Sequence, residues 1–201
     1  MKHLNYETVN TKVAFEVVDH EEVMVVEKSE KLYEFDTNSY VKFPDFNFHN
    51  GIIEVKVLSR LLKDAPDFSR GFIGIAFRIN EDDSQFESFY LRPTNGRNCK
   101  DPIRQHRGCQ YFSYPNYTFE YFRDHEITDY EAMADIDLDE WILIKAKINQ
   151  NKAEFYINDN KSPVLVVHDL KHGNSSGSVG LFVDIGTQGY FKDLKVTCFD
   201  D

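Results

Sequence analysis

The chain lacks long hydrophobic runs, and this absence excludes several kinds of membrane protein. No stretch approaches the ~20 consecutive apolar residues that a bilayer-spanning helix needs. Residues 1–7 (MKHLNYE) also lack the apolar core of a secretory signal. We therefore expect no membrane partner, and either a cytoplasmic protein or a mature chain from which a signal has been removed.

Positive charge and cysteine are scarce as well. The 201 residues contain 23 Lys and Arg against 34 Asp and Glu, a formal net charge of −11. Nucleic-acid binding requires a basic surface that neutralises phosphates, so this balance predicts no nucleic-acid partner. Cys99, Cys109 and Cys198 are odd in number and have no C-x-x-C spacing, which predicts free thiols, with neither a disulfide framework nor a zinc site.

Aromatic residues and a period-2 pattern are what the sequence has in abundance. There are 17 Phe and 11 Tyr against 3 Met and 1 Trp, a composition that suits pleated, half-buried sheet surfaces. Short runs of alternating apolar and polar residues, separated by turn residues, predict on the order of ten to twelve strands. We predict an all-β fold, a two-sheet antiparallel jelly-roll sandwich, as a single domain over residues 1–201.

Two of these runs show the alternation clearly. Residues 71–79 (GFIGIAFRI) and 86–92 (FESFYLR) each place one apolar row against a second row of mostly small or polar side chains. The acidic segment 80–84 between them is predicted to be a hairpin loop. A further strand is predicted over Tyr40 to Phe43, ending at Pro44 because proline interrupts a sheet.

Residues 93–137 have weak periodicity and are expected to be a long functional loop. Cations concentrate around its start, between residues 92 and 107, where one acid, Asp101, stands against five Lys or Arg residues and His106. Seven aromatic residues follow in the twelve residues 111–122. Either feature could be structural, as a solvated face or as rings that fix the loop. Together they favour a site for a ligand with one apolar and one hydroxylated face, as in a pyranose ring.

Signals for catalysis and for metals are weaker. Glu54, Glu87 and Asp184 are candidate carboxylates, but no three acids lie on one face of a single strand, and no G-x-S-x-G or H-E-x-x-H motif occurs. The acidic run 135–140 (DIDLDE) lacks the glycine and spacing of an EF-hand loop. We interpret it as a solvated turn, with a structural calcium as the lesser alternative, and we expect no cofactor.

Several segments are distinctive: GFIGIAFR (71–78), FESFYLRPTNGR (86–97), QYFSYP (110–115), W-x-x-I-K (141–145), VGLF (179–182) and GT-x-x-YF-x-x-L-x-V (186–196). Through them the chain resembles the concanavalin A-like lectin/glucanase superfamily, nearest to bacterial relatives of 3-keto-disaccharide hydrolase (DUF1080) and to laminin-G-like domains. The resemblance covers roughly residues 45–198. The carboxylate motif of the glucanases is missing.

The resemblance implies a ligand groove on one concave sheet face. Its predicted ligand-binding residues are Arg78, Tyr90, Arg92, Asn95, Arg97, Arg104 and Tyr111, with His106 close by. The leading hypothesis is a carbohydrate-binding protein whose partner is a sugar ligand. A second hypothesis is a glycoside hydrolase or lyase for keto or uronic sugars, with Glu87 or Glu54 as acid or base and His106 as proton carrier. A third is a laminin-G-like protein-interaction module. The sequence carries no signal of oligomeric state.

Overall fold

A computed structural model describes residues 1–29 and 33–199 of the chain. The strands in this part are, in chain order, β1 (Glu7–Val9), β2 (Thr11–Val18), β3 (Glu21–Lys28), β4 (Tyr40–Phe48), β5 (Gly51–Leu61), β6 (Ile73–Ile79), β7 (Phe86–Leu91), β8 (Cys109–Tyr114), β9 (Glu131–Ala132), β10 (Ile142–Asn149), β11 (Lys152–Ile157), β12 (Leu165–Val167), β13 (Gly177–Val183) and β14 (Thr187–Cys198). A short 3-10 helix covers Pro93–Asn95, and two short helices are α1 (Pro102–Gln105) and α2 (Phe119–Asp124).

These strands form two seven-stranded antiparallel sheets, which confirms the predicted sandwich. The front sheet has the order β1-β4-β13-β6-β7-β8-β9, and the back sheet has the order β12-β11-β10-β5-β14-β3-β2. Strands β6 and β7 pair through the predicted 80–84 hairpin, with Ile73 opposite Leu91 and Phe77 opposite Glu87. None of the helices in residues 1–29 and 33–199 is long and apolar enough to cross a membrane.

The main core lies between the two sheets, where the apolar rows of both meet. Ile73, Ile75 and Phe77 of β6 are fully buried there, as the alternation predicted. Phe89 of the front sheet stacks on Phe155 of the back sheet with ring centroids 4.2 Å apart. Such an aromatic contact contributes roughly 0.5–1.5 kcal/mol beyond the area that it buries.

The other face of the front sheet carries a second aromatic layer. Its buried members are Tyr40, Phe72, Phe86, Tyr90, Phe112 and Phe182. All residues of β6 and β7 are therefore buried on both faces. The groove expected across this face is filled along most of its length by these rings.

Two sequence predictions are corrected by the fold. Residues 93–137 include β8, which pairs with both β7 and β9, so this segment contributes to the sheet. Strand β4 continues through Pro44 to Phe48. The proline is tolerated because β1 pairs only with residues 40–42, and the register with β13 shifts between Phe43 and Phe48. The three cysteines are free, as predicted.

Candidate functional site

A pocket of about 250 Å³ opens at the end of the front sheet where β7 finishes. We call it the arginine pocket, because five of its eleven lining residues are arginines that come from separate segments of the chain. The lining residues are Phe35, Phe68, Arg70, Phe72, Tyr90, Arg92, Asn95, Arg104, Arg107, Phe119 and Arg123. The prediction grouped Tyr90, Arg92, Asn95 and Arg104, and these four do lie together.

Arg92 follows the last residue of β7 and is only 3% exposed. Its Nη2 donates to the Tyr90 hydroxyl at 2.9 Å and to Gln110 Oε1 at 3.1 Å. Its Nη1 donates to the Arg107 carbonyl at 3.2 Å and to Glu131 Oε2 at 3.4 Å. Both terminal nitrogens are thus engaged by the protein, and we infer that Arg92 is chiefly a positioning residue for the pocket.

Arg104 is held in the pocket by a capped helix. Asp101 is the N-cap residue that precedes α1. Its carboxylate accepts from the backbone N–H of Ile103 at 2.9 Å, the usual role of aspartate at an N-cap. Arg104 Nε donates to Asn95 Oδ1 at 3.0 Å, and its Nη2 donates to the Thr94 hydroxyl at 3.2 Å. Since Nη1 has no acceptor within the described residues, it is available to a ligand.

Arg107 and Arg70 also lack a complete set of acceptors. Arg107 Nε lies 3.7 Å from Glu131 Oε1, an ion pair without a hydrogen bond. Arg70 Nη1 donates to the carbonyls of Asp67 at 2.7 Å and Ser69 at 3.0 Å. Partial burial, followed by the charges of Arg104 and Arg92, lowers the pKa of the Arg70 guanidinium. The positive groups therefore repel one another.

Arg123 lies in the last turn of α2 with its guanidinium carbon 4.6 Å from the centre of the Phe119 ring. Within residues 1–29 and 33–199, Arg123 has this cation–π contact and forms no ion pair with a carboxylate. Its side chain is exposed, so the charge stands at the mouth of the pocket.

Aromatic rings also line the pocket. Phe35 makes edge contacts with Phe68, Phe72 and Phe119, at centroid distances of 5.3, 5.6 and 5.5 Å. Phe68 remains 41% exposed, although its ring is large and apolar. The pocket thus combines cationic donors with an apolar aromatic surface, which suits a ligand with a polar edge and an apolar face.

A buried carboxylate, Asp36, lies beneath this end. Its Oδ2 accepts from the backbone N–H of Phe119 at 2.8 Å and thereby anchors the first turn of α2. Its Oδ1 is buried without a hydrogen-bond partner among the described residues. Burial and the nearby Asp184 carboxylate raise the pKa of Asp36 to about 7, against the lowering effects of the Phe119 backbone N–H, the Arg92 charge and the Tyr90 hydroxyl.

Arg78 does not lie in this pocket, which corrects the prediction that it shares a groove with Tyr90 and Arg92. In the β6–β7 hairpin Arg78 is beside the turn, whereas Arg92 is at the open end, roughly 20 Å away along the strands. Its guanidinium donates to the carbonyls of His49 at 2.8 Å, Gly173 at 2.7 Å and Gln150 at 2.6 Å. Arg78 therefore fastens three loops to the sheet.

Tyr111 and Glu87 also belong to the hairpin side. Tyr111 points into the core between the sheets and donates to Glu87 Oε2 at 2.6 Å. Glu87 is 0% exposed, and its Oε1 accepts from the His172 backbone N–H at 2.9 Å. Burial raises the pKa of Glu87, although these hydrogen bonds lower it. The geometry indicates that Glu87 holds the 168–173 segment in place.

The remaining predicted residues lie elsewhere on the surface. Arg97 pairs with Asp135 at 2.7 Å and with Glu140 at 2.8 Å. His106 is exposed at the end of α1. Glu54 is on the outer face of the back sheet, in register with Lys145. The structure does not bring Glu54 and Glu87 together, because they belong to different sheets.

The acidic run 135–140 is largely engaged by its neighbours. Arg97 pairs with two of its carboxylates, and Asp137 accepts from Asn98 and from the Leu138 backbone N–H. No group of three or more His, Cys, Asp or Glu residues within the described chain could hold a metal ion.

Sequence reasoning missed Arg70, Arg123, Phe35 and Asp36 as parts of this site. Arg70 precedes β6, and Arg123 follows the aromatic stretch that was singled out. A cation next to that stretch was the one signal that could have pointed to Arg123. Phe35 and Asp36 lie in a segment without strand periodicity, and only the packing of that segment against α2 brings them here.

Comparison with known proteins supports the fold. No protein-family model and no curated protein matches the chain. Among solved structures, the carbohydrate-binding module CBM66 from Bacillus subtilis matches with a TM-score of 0.63 at 16% identity, over 95% of this chain and 94% of that one. A Bacillus subtilis protein of unknown function with a galectin-like fold matches with a TM-score of 0.55 at 11% identity, over 96% and 88%.

A third similar structure, a putative glycosyl hydrolase from Parabacteroides distasonis, matches with a TM-score of 0.52 at 14% identity, over 97% of this chain and 88% of that one. At such identities the likeness concerns the fold. It confirms an antiparallel jelly-roll sandwich of the galectin-like kind, a scaffold that by itself confers no particular activity.

Proposed function

We propose that this protein binds carbohydrate in the arginine pocket. The observation that carries the proposal is that guanidinium donors and aromatic rings together line one small opening. Sugar rings have hydroxyl groups at their edges and an apolar face of C–H bonds, so the guanidinium donors and the aromatic rings each find a complementary surface. The volume of about 250 Å³ lies just below the range usual for ligand pockets and suits a ligand portion of about one sugar residue.

The structural neighbours support the same proposal. The CBM66 structure is described as a carbohydrate-binding module, and it covers nearly the whole of this chain. The finer resemblance to 3-keto-disaccharide hydrolases and laminin-G-like domains stays a prediction. Catalysis by Glu87, Glu54 and His106 also stays a prediction. The three residues lie apart from one another, so no observation favours a reaction.

The test is calorimetric titration of a panel of neutral and acidic oligosaccharides into the wild type and an Arg104→Gln variant. Arg104 contributes a free donor without being fully buried, so its replacement should leave the fold intact. For the member of the panel that binds most tightly, loss of one charged hydrogen bond should weaken binding about 10-fold.

Arg60→Gln serves as the matched control, because Arg60 is a partly exposed arginine whose carboxylate partner, Asp139, lies 2.6 Å away. It does not line the pocket. Equal binding of that tightest ligand by wild type and Arg104→Gln would remove the arginine pocket as the site. No binding by the wild type to any member of the panel would remove the carbohydrate function itself.

A further inference from the structure

The arginine pocket carries more positive charge than the described residues neutralise. Five guanidinium groups line it. Within residues 1–29 and 33–199, Glu131 is the one carboxylate that forms ion pairs with any of them. Asp36, beneath the pocket, has its pKa raised to about 7 and is only partly ionised at neutral pH. The whole chain is strongly acidic, with a net charge of −11, so this local excess reverses the general charge of the surface.

The excess charge is also directed toward a ligand. Arg92 uses both terminal nitrogens within the protein, but Arg104 Nη1 and the guanidinium of Arg123 have no acceptor among the described residues. A neutral sugar can accept hydrogen bonds from these groups but cannot compensate their charge. An anionic oxygen pair can do both, since planar guanidinium groups bind carboxylate and sulfate through two parallel hydrogen bonds.

On this basis we propose that the pocket selects saccharides that carry an anionic substituent, either a carboxylate or a sulfate ester. The inference rests on the proposed carbohydrate function and adds the chemical class of its ligand. The anionic group lies between Arg104 and Arg123, and the apolar face of the sugar ring lies against the wall formed by Phe35, Phe68 and Phe119. The wall supplies affinity for any sugar of suitable shape, while the arginines discriminate between acidic and neutral sugars.

The experiment compares matched sugars that differ only in charge. Trisaccharides of galacturonate are titrated beside the neutral trisaccharide of galactose, glucuronate-containing disaccharides beside their glucose counterparts, and a sulfated galactose beside galactose. Inorganic sulfate is titrated alone. We expect at least one acidic sugar to bind about 10-fold or more tightly than its neutral counterpart, and the carboxylate and sulfate series identify which anion is preferred.

Two variants test whether Arg104 and Arg123 cause the preference for acidic sugars. Arg104→Gln and Arg123→Gln should each reduce binding of the acidic sugar about 10-fold but change binding of the neutral sugar less than about 3-fold. Arg60→Gln should leave both unchanged. Raising the salt concentration should weaken binding of the acidic sugar more than binding of the neutral one.

The outcomes separate this inference from the proposed function. Equal affinities for acidic and neutral sugars would overturn the charge selection and leave carbohydrate binding intact. Absence of binding to every sugar would overturn both. Inorganic sulfate binding as tightly as the acidic sugars would indicate a simple anion site and would likewise overturn both.

Discussion

The front sheet has a buried arginine at each end, and the two ends differ in how fully their polar groups are paired. At the hairpin end, Arg78 donates to three loop carbonyls, and both oxygens of Glu87 accept hydrogen bonds. At the pocket end, Arg92 is similarly engaged, but the arginines around it keep free donors and Asp36 keeps an unpaired oxygen. At the first end protein groups satisfy Arg78 and Glu87, whereas at the second end the arginines have donors left for a ligand.

This difference shows that burial of an arginine does not by itself indicate a binding site. Arg78 and Arg92 have almost the same exposure, 2% and 3%. The two arginines differ in their neighbours, which have unpaired hydrogen-bonding groups around Arg92. An unpaired charged group near an opening forms its hydrogen bonds with water or with a ligand.

Replacing Arg78 by methionine should have the largest effect on stability. The change leaves three carbonyls without their charged donor, and we expect the free energy of unfolding to fall by about 4 kcal/mol. Urea unfolding measures this change. Sugar binding by the folded fraction should be unchanged, and a variant that remains folded but loses affinity would show that the two ends are coupled.

Arg92→Met should be the next most disruptive change, with a loss of about 3 kcal/mol in the free energy of unfolding. Its partners Tyr90, Gln110 and Glu131 would remain buried or partly buried without the guanidinium. In contrast to Arg78→Met, this variant should also lose sugar binding, because the pocket floor is disturbed. Calorimetric titration of the folded variant against an acidic trisaccharide distinguishes the two arginines, and retained affinity would contradict the positioning role.

Asp36→Asn should make stability less dependent on pH. The carboxyl titrates near 3.8 in the unfolded chain and at about 7 in the folded protein, so the folded state binds the extra proton between these values. Raising the pH through this range therefore destabilises the wild type, whereas asparagine cannot ionise. From pH 5 to pH 8 the variant should gain roughly 2 kcal/mol relative to the wild type, measured by urea unfolding at both pH values. A parallel loss of stability in both proteins would contradict the raised pKa.

Arg97→Gln should have the smallest effect, below about 1 kcal/mol in unfolding, because Arg97 forms exposed ion pairs with Asp135 and Glu140. It should also leave sugar affinity unchanged. This variant tests the structural assignment against the sequence prediction, in which Arg97 was a ligand-binding residue. A clear loss of affinity would extend the site beyond the arginine pocket.

Local patterns in the sequence were sufficient for the sheet architecture. Apolar alternation along 71–79 and 86–92 directs one row of side chains to the core whatever the rest of the chain does, because successive residues of a strand face opposite sides. The same reasoning put Tyr90 and Arg92 on one face. It did not extend to β8, because its inward and outward residues, Tyr111 and Phe112, are both aromatic and both buried.

The composition of the site was decided by tertiary structure. The antiparallel hairpin separates Arg78 from Arg92, although both follow the same alternation, and the packing of distant segments adds Arg70 and Arg123 to the pocket. Periodicity describes which way a side chain points from its own strand. The amino-acid order alone therefore established the sandwich and the face to which each row of side chains points. Which charges meet, and which of them remain unpaired, depends on contacts between segments far apart in the chain, and only the folded structure determines these.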